Sequence, residues 1–129
     1  MKQLAKLVLF VIFIGCSEPM VYWQDSELEK HNMKIIPEVP IQSDEIKLVI
    51  FDDCTYNTLS GITRSGSTID IKKQYNGLMK WPCIMKNDTI LIGKLPQGAY
   101  NVNYTLIDIS QQAPQNISVS FTFKLDVGK

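Results

Sequence analysis

The side chains best suited to chemistry in this chain are three cysteines and a single histidine. Cys16 directly follows an apolar run over residues 7–14, and that run is preceded by Lys2 and Lys6. A basic start followed by a short apolar stretch is typical of an export signal. The run is also well short of the ~20 residues that a helix needs to span a bilayer. We therefore expect residues 1–15 to be a signal peptide that ends immediately before Cys16.

The residues around this expected cleavage position resemble the lipobox of bacterial lipoproteins. That family typically has Leu, a small residue, and Gly or Ala before its cysteine. This chain keeps Gly15 and Cys16 but departs from the pattern at Phe13 and Ile14. The resemblance implies that the Cys16 thiol receives a diacylglycerol and that the new amino group is acylated. Two or three acyl chains of this kind would anchor the protein stably in a membrane. The alternative is an ordinary signal peptide, or an uncleaved helix, that happens to end in cysteine.

The other two cysteines form an even pair once Cys16 is assigned to lipid attachment. In an exported protein, a pair such as Cys54 and Cys83 is most often a disulfide. We expect such a bond to stabilise the fold by about 3–4 kcal/mol through the loop that it closes. Two buried free thiols are the alternative.

Few residues could support catalysis. Nucleophilic catalysis by Ser/His/Asp or Cys/His needs a histidine in the folded domain, and the only histidine, His31, falls in a polar stretch that we expect to be a tether. A zinc site built from Cys54, Cys83 and His31 would lack any closely spaced pair of ligands. We therefore expect a non-enzymatic protein.

Paired carboxylates occur at Asp52 and Asp53. If these residues lie in a turn, they could bind Ca²⁺ together with Asp70 or Asp88, although the spacing of an EF-hand is absent. Solvated turn acids are the simpler interpretation. We expect no metal and no other cofactor.

Three aromatic residues, Tyr56, Tyr75 and Trp81, fall around the two cysteine segments. They could form a ligand surface for a sugar or a peptide at one end of the domain. The alternative is that Trp81 packs against the disulfide as part of the core.

The charge balance argues against nucleic acid as a partner. The chain has 13 basic and 13 acidic residues. Removal of Lys2 and Lys6 with the signal leaves 11 basic residues, and hence a net charge near −2. A broad basic face is therefore excluded.

The elements that must position these residues divide the chain into three parts. After the signal peptide at residues 1–15, residues 16–43 are polar and rich in proline, so we expect the lipidated cysteine followed by a tether. Residues 44–129 alternate with a period of two and should form one domain. The predicted strands cover residues 46–51, 62–64, 68–72, 78–85, 89–95, 100–106 and 117–125, with a loop-rich segment at 52–66. Six or seven short strands without an amphipathic helix between them predict an all-β, antiparallel sandwich.

The segment that runs from Leu95 through Pro96 and Gly98 to Tyr100 is similar to one in many bacterial immunoglobulin-like and fibronectin-type-III-like domains. The resemblance implies an Ig-like β-sandwich of about seven strands with a structural tyrosine corner at Tyr100. In such a corner the tyrosine hydroxyl bonds back to the preceding backbone. Antibody domains have a cysteine two residues later, where this chain has Val102. The resemblance carries no activity.

These observations favour a cell-envelope lipoprotein that acts as a non-enzymatic binding or assembly module. Its expected partners are a membrane, reached through the lipid anchor, and an envelope protein or glycan. The expected location is the outer membrane of a Gram-negative bacterium. Two alternatives stay open: a carbohydrate- or peptide-binding accessory subunit of an uptake system, and a small inhibitor or immunity-type protein that acts through the loop at residues 53–66.

Overall fold

The computed structural model describes residues 26–79, 82–110 and 116–129, which form one short helix and seven strands. Within this part of the chain, no helix is long and apolar enough to cross a membrane. The elements, in chain order, are α1 (Ser26–Lys30), β1 (Met33–Ile36), β2 (Ile46–Cys54), β3 (Thr58–Ser65), β4 (Thr68–Tyr75), β5 (Met85–Gly93), β6 (Gly98–Asp108) and β7 (Asn116–Val127).

The strands form two packed sheets, and the prediction of an all-β sandwich of about seven strands is confirmed. One sheet has the order β1-β2-β5 and the other has the order β3-β4-β6-β7. Neighbouring strands are antiparallel with one exception, because β4 and β6 are parallel. These two strands can run in the same direction because the chain between them crosses to the other sheet as β5 and then returns.

The core lies between the sheets and follows the period-two pattern of the sequence. Ile46, Leu48 and Ile50 of β2 point inward, and every second residue of β4, β6 and β7 does the same. Alternation of this kind places one set of side chains against the opposite sheet and leaves the other set in water. The inward residues of the second sheet include Ile69, Ile71, Lys73, Tyr100, Val102, Tyr104, Phe123, Leu125 and Val127.

The sandwich begins before residue 44, so the predicted tether at residues 16–43 is too long. β1 pairs with β2, with Ile35 opposite Leu48. In α1, the side chain of Leu28 is only 1% exposed and belongs to the core. The sequence obscures this assignment because a helix of five residues and a strand of four carry too few periods for a clear pattern.

One predicted loop and one predicted strand also differ from the structure. The segment predicted as loop-rich, residues 52–66, is largely strand β3, which pairs with β4. The strand predicted for residues 78–85 is absent from its described part before Met85, because residues 76–79 and 82–84 connect the two sheets. Asn76 does form a turn, since its carbonyl oxygen accepts a hydrogen bond from the Met79 N–H at 3.1 Å. That turn leads to a change of sheet rather than to a hairpin.

Tyr100 makes the contact that the sequence predicts for a tyrosine corner. Its ring is buried, and its hydroxyl donates a hydrogen bond to the Pro96 carbonyl at 2.7 Å. Leu95 is buried beside this turn. The hydrogen bond therefore ties the start of β6 to the connection from β5.

We expect Leu28→Ala to lower the free energy of unfolding by about 3 kcal/mol, because it removes a fully buried side chain and leaves a cavity. Leu78→Ala is the matched control, since Leu78 is 71% exposed and its loss should change stability little. Urea denaturation of both variants measures the difference. Equal stability of the two variants would contradict the inclusion of α1 in the folded domain.

We expect Tyr100→Phe to lower the free energy of unfolding by about 1 kcal/mol, because the Pro96 carbonyl loses its hydrogen-bond donor. Tyr56→Phe serves as the control, since no described residue hydrogen-bonds the Tyr56 hydroxyl. Thermal unfolding followed by circular dichroism gives both values. An unchanged stability for Tyr100→Phe would show that this hydrogen bond does not stabilise the corner.

Candidate functional site

A buried lysine lies between the two sheets. Lys73 belongs to the inward face of β4, and its side chain is 0% exposed. Its Nζ lies 2.5 Å from Asp53 Oδ2 and 2.6 Å from Asp88 Oδ2. Asp53 comes from β2 and Asp88 from β5, which are neighbours in the other sheet. We call these three residues the Lys73 cluster; it is the only place in the described chain where a charged side chain is fully buried.

A β-bulge in β2 turns Asp53 toward the lysine. Since Ile46, Leu48 and Ile50 point inward, regular alternation would place Asp52 inward next. The register against β5 shifts between Ile50 and Asp53, and Asp52 adopts a left-handed conformation with φ of 51°. Asp52 is therefore exposed, and its N–H donates to Asn87 Oδ1 at 3.2 Å. The extra residue moves Asp53 onto the inward face.

The two carboxylates of the cluster have different surroundings. Asp53 is 11% exposed, and its second oxygen, Oδ1, accepts a hydrogen bond from Asn57 Nδ2 at 2.9 Å. Asp88 is 40% exposed, and its Oδ1 accepts the N–H of Thr89 at 2.9 Å. Asp53 is thus held by protein groups on both sides, whereas Asp88 borders solvent.

The Lys73 cluster carries one positive and two negative charges, and its negative charges affect the pKa of Tyr104 on β6. Burial of the hydroxyl is the larger effect, and the negative charges of Asp53 and Asp88 add to it. Together these effects raise the pKa of Tyr104 well above its usual range. The phenol therefore stays neutral at physiological pH.

An open cleft gives solvent access to the cluster. It has a volume of about 270 Å³, slightly below the ~300–1,000 Å³ that is usual for small-molecule sites. Its wall includes both carboxylates of the Lys73 cluster together with Cys54, Thr55, Asn57, Thr58, Leu59, Lys86, Thr89 and Ile90. A second cleft of about 210 Å³ lies on the other side of Asp53 and includes His31 and Tyr104.

His31 belongs to the folded domain, so its predicted place in a tether is wrong. Its ring stacks on Phe121 with 3.8 Å between the ring centroids. Nδ1 lies 2.8 Å from the carbonyl oxygen of Glu27. These contacts dock α1 on β7, and no described serine or cysteine is hydrogen-bonded to the ring. A nucleophile–base pair at His31 is therefore not formed within the described residues.

Cys54 and Cys83 are joined by a disulfide with 5.4 Å between their Cα atoms. The two cysteines therefore lie at disulfide distance from each other, as the sequence predicts. The bond closes a loop with a sequence separation of 29 residues, for which loop entropy predicts a stabilisation of about 3–4 kcal/mol. It also holds the end of β2 one residue after Asp53.

The predicted aromatic surface is only partly described. Tyr56 lies in the turn after β2 and Tyr75 at the end of β4, and both are half-buried. The Tyr75 hydroxyl lies 2.5 Å from Ser118 Oγ, which ties β4 to β7. Trp81 and Cys16 lie outside the described residues.

The carboxylates considered for a calcium site have other partners. Lys73 occupies the position between Asp53 and Asp88 that a cation would take. Asp70 accepts a hydrogen bond from Asn103 at 2.8 Å. Among residues 26–79, 82–110 and 116–129, no three His, Cys, Asp or Glu side chains are grouped so that they could hold a metal ion.

Asp108 is a residue that the sequence does not single out. Its carboxylate holds the connection after β4 and the connection after β6 through hydrogen bonds. Its Oδ1 accepts the N–H of Gly77 and the N–H of Ser110, each at 2.9 Å. A Cβ at position 77 would lie too close to this carboxylate, so a side chain there would displace the Asp108 side chain. Hydrogen bonds from the Ser110 N–H, the Ser110 hydroxyl and the Gly77 N–H lower the pKa of Asp108.

Comparison with protein-family models, with curated proteins and with solved structures finds no match to this chain. The resemblances to bacterial lipoproteins and to Ig-like domains therefore stay predictions from the sequence.

We expect the Asp108 carboxyl to titrate below the ~3.9 of an ordinary aspartate. Because its pKa is lowered in the folded state, its contribution to stability is present above the unfolded pKa and is lost as the pH falls through the folded pKa. An NMR titration of the carboxyl carbon measures this value.

Ser110→Ala should raise the Asp108 pKa part of the way toward its ordinary value, since it removes the hydroxyl and keeps the N–H. Ser65→Ala, at the opposite end of the sandwich, should leave it unchanged. A titration at the ordinary aspartate value in the unaltered protein would refute the proposed hydrogen bonds.

Proposed function

We propose that this protein is a membrane-anchored lipoprotein of the bacterial cell envelope and that its β-sandwich acts as a non-enzymatic binding or assembly module. The observation that carries this proposal is the order of features at the start of the chain. Lys2 and Lys6 precede a short apolar run, and Gly15-Cys16 follows it. An acylated Cys16 would anchor the chain stably because lipoprotein processing attaches more than one acyl chain.

One end of the sandwich holds more than half of the exposed large hydrophobic side chains of the described residues, and this supports the proposal. β2, β4 and β6 end there, and β5 and β7 begin there. We call this the apolar end. The exposed hydrophobic side chains on its connections and strand termini are Leu59, Leu78, Met79, Ile84, Met85, Ile109 and Ile117.

The chain also enters the sandwich at the apolar end. The carbonyl of Asn32, just after α1, accepts the N–H of Phe51 at 2.9 Å, and Phe51 lies close to the end of β2. Ten residues separate Ser26 from the lipobox-like Gly15, and even when extended they span at most about 36 Å. An anchor at Cys16 would therefore hold the apolar end close to the bilayer, where exposed apolar side chains can enter the interface.

The two alternatives have less support. An inhibitor acting through residues 53–66 would need a protruding loop, but most of this segment is strand β3. A small-ligand site would need a larger apolar pocket than the charged cleft beside Asp53 and Asp88. We therefore prefer a macromolecular partner in the envelope, a protein or a glycan, to a small molecule.

We expect Cys16→Ser to move the protein from the membrane fraction to the soluble fraction and to abolish incorporation of labelled palmitate. The physical reason is the loss of the thiol that would carry the diacylglycerol. Gln24→Ala, which lies outside the lipobox, is the matched control and should stay in the membrane fraction. Membrane association that survives Cys16→Ser without palmitate would refute the lipid anchor.

A further inference from the structure

We propose that Lys73 and Asp53 condense to an intramolecular amide bond that covalently joins the two sheets, with Asp88 as the group that transfers protons. The geometry that carries this inference is a lysine Nζ held 2.5 Å from one carboxylate oxygen and 2.6 Å from another. The bond is a modification of the sandwich itself, so it does not depend on the lipid anchor.

Burial favours the condensed form over the ion pair. In water, an ammonium and a carboxylate are strongly solvated, and condensation has to give up that solvation. Here the lysine side chain is 0% exposed and Asp53 is 11% exposed, so most of the solvation has already been lost on folding. Buried charges are costly even when they are paired. An amide is neutral, and its formation removes two of these charges from the interior.

Proximity favours the reaction as well. The inward face of β4, the bulge at Asp52 and the disulfide at Cys54 hold the amine and the carboxylate in contact. Groups that are held together in this way react with high effective molarities because the entropy of bringing them together has been lost on folding.

Asp53 is the electrophile rather than Asp88. Both carboxylates contact Lys73, and what distinguishes Asp53 is that its Oδ1 also accepts a hydrogen bond from Asn57 Nδ2. That donor polarises the carbonyl group and stabilises the negative charge that develops on Oδ1 when nitrogen adds to Cγ. Asp88 is 40% exposed, and its Oδ1 accepts no side-chain donor among the described residues, which suits a group that exchanges protons.

The reaction balances without a cofactor. Lys73 first gives one proton to Asp53 Oδ2, which leaves a neutral amine and a neutral carboxylic acid. The amine nitrogen then adds to Cγ of Asp53, and Oδ1 takes the negative charge. Asp88 removes a second proton from the nitrogen and delivers it to Oδ2, which departs as water. The charge on Oδ1 returns to form the amide carbonyl, the nitrogen keeps one hydrogen, and Asp88 ends as the carboxylate.

The released water can leave through the cleft beside Asp53 and Asp88. The cleft of about 270 Å³ is lined by Asp53 and Asp88, so the water would form beside a solvent-accessible space. The finished amide N–H would face Asp88, which remains as a hydrogen-bond acceptor. Unlike the neighbouring disulfide, the amide would resist reduction and would keep β2 attached to β4.

The test is peptide mapping of the full chain, purified from whichever cell fraction holds it, after reduction and alkylation of the disulfide. Trypsin should release residues 48–64 and 73–80 as one branched peptide, because an acylated Lys73 is not cleaved. We expect its mass to be lower than the sum of the two peptides by one water, with fragment ions that place the link between Asp53 and Lys73. Separate, unmodified peptides with cleavage after Lys73 would overturn the proposal, and so would a link that maps to Asp88.

Two variants test the roles of the residues. Lys73→Arg keeps a positive charge but has no reactive amine, so the branched peptide should be absent; Lys72→Arg, at the exposed neighbouring position, should retain it. Asp88→Asn should slow bond formation, which is visible as a mixture of linked and unlinked peptides in freshly folded protein. A complete bond in Asp88→Asn would refute the proton-transfer role. If Lys73→Arg fails to fold, the map of the unaltered protein still decides the proposal.

Discussion

The burial of one lysine ammonium between two β-sheets is the constraint on which much of this structure depends. An isolated charge in the interior is very costly, so Lys73 requires carboxylates within contact distance. Asp53 and Asp88 supply them from two neighbouring strands of the opposite sheet. The bulge at Asp52 brings Asp53 onto the inward face of β2. The cluster therefore links β4 to the bulged part of the β2–β5 pair.

The same end of the molecule concentrates the other features that distinguish this sandwich from a plain one. The disulfide holds the end of β2. Asp108 holds the connection after β4 and the connection after β6, because its carboxylate accepts hydrogen bonds from the N–H groups of Gly77 and Ser110. Exposed apolar side chains lie on the same connections, and the chain enters from the same side. A lipid anchor at Cys16 would place this cross-linked end toward the bilayer and the opposite end toward the envelope. Such an arrangement suits a module that must stay folded while it is held at a surface.

Much of the fold could be predicted because period-two alternation is a local property. The inward residues of β2, β6 and β7 follow it closely. The corner at Tyr100 follows from the resemblance of its segment to Ig-like domains, and the structure has the expected hydrogen bond. The candidate site was harder to predict. Lys73 continues the inward series of Ile69 and Ile71, which was a usable signal, but nothing in the sequence marks the bulge that makes Asp53 its partner. The sequence therefore favours solvated turn acids at Asp52 and Asp53, and this interpretation is wrong for Asp53, which pairs with the buried Lys73.

What the sequence determined by itself is the alternation that forms β2, β4, β6 and β7 and the pairing of Cys54 with Cys83. Hydrophobic alternation selects strands because it matches the pleat, and an even cysteine pair in an exported chain selects a disulfide. Only the tertiary structure decided that α1 and β1 belong to the sandwich, that β4 and β6 run parallel, and that Lys73 meets Asp53 and Asp88. These features bring together residues that are distant in the chain. Their energies arise from burial and charge pairing between sheets, which local patterns do not contain.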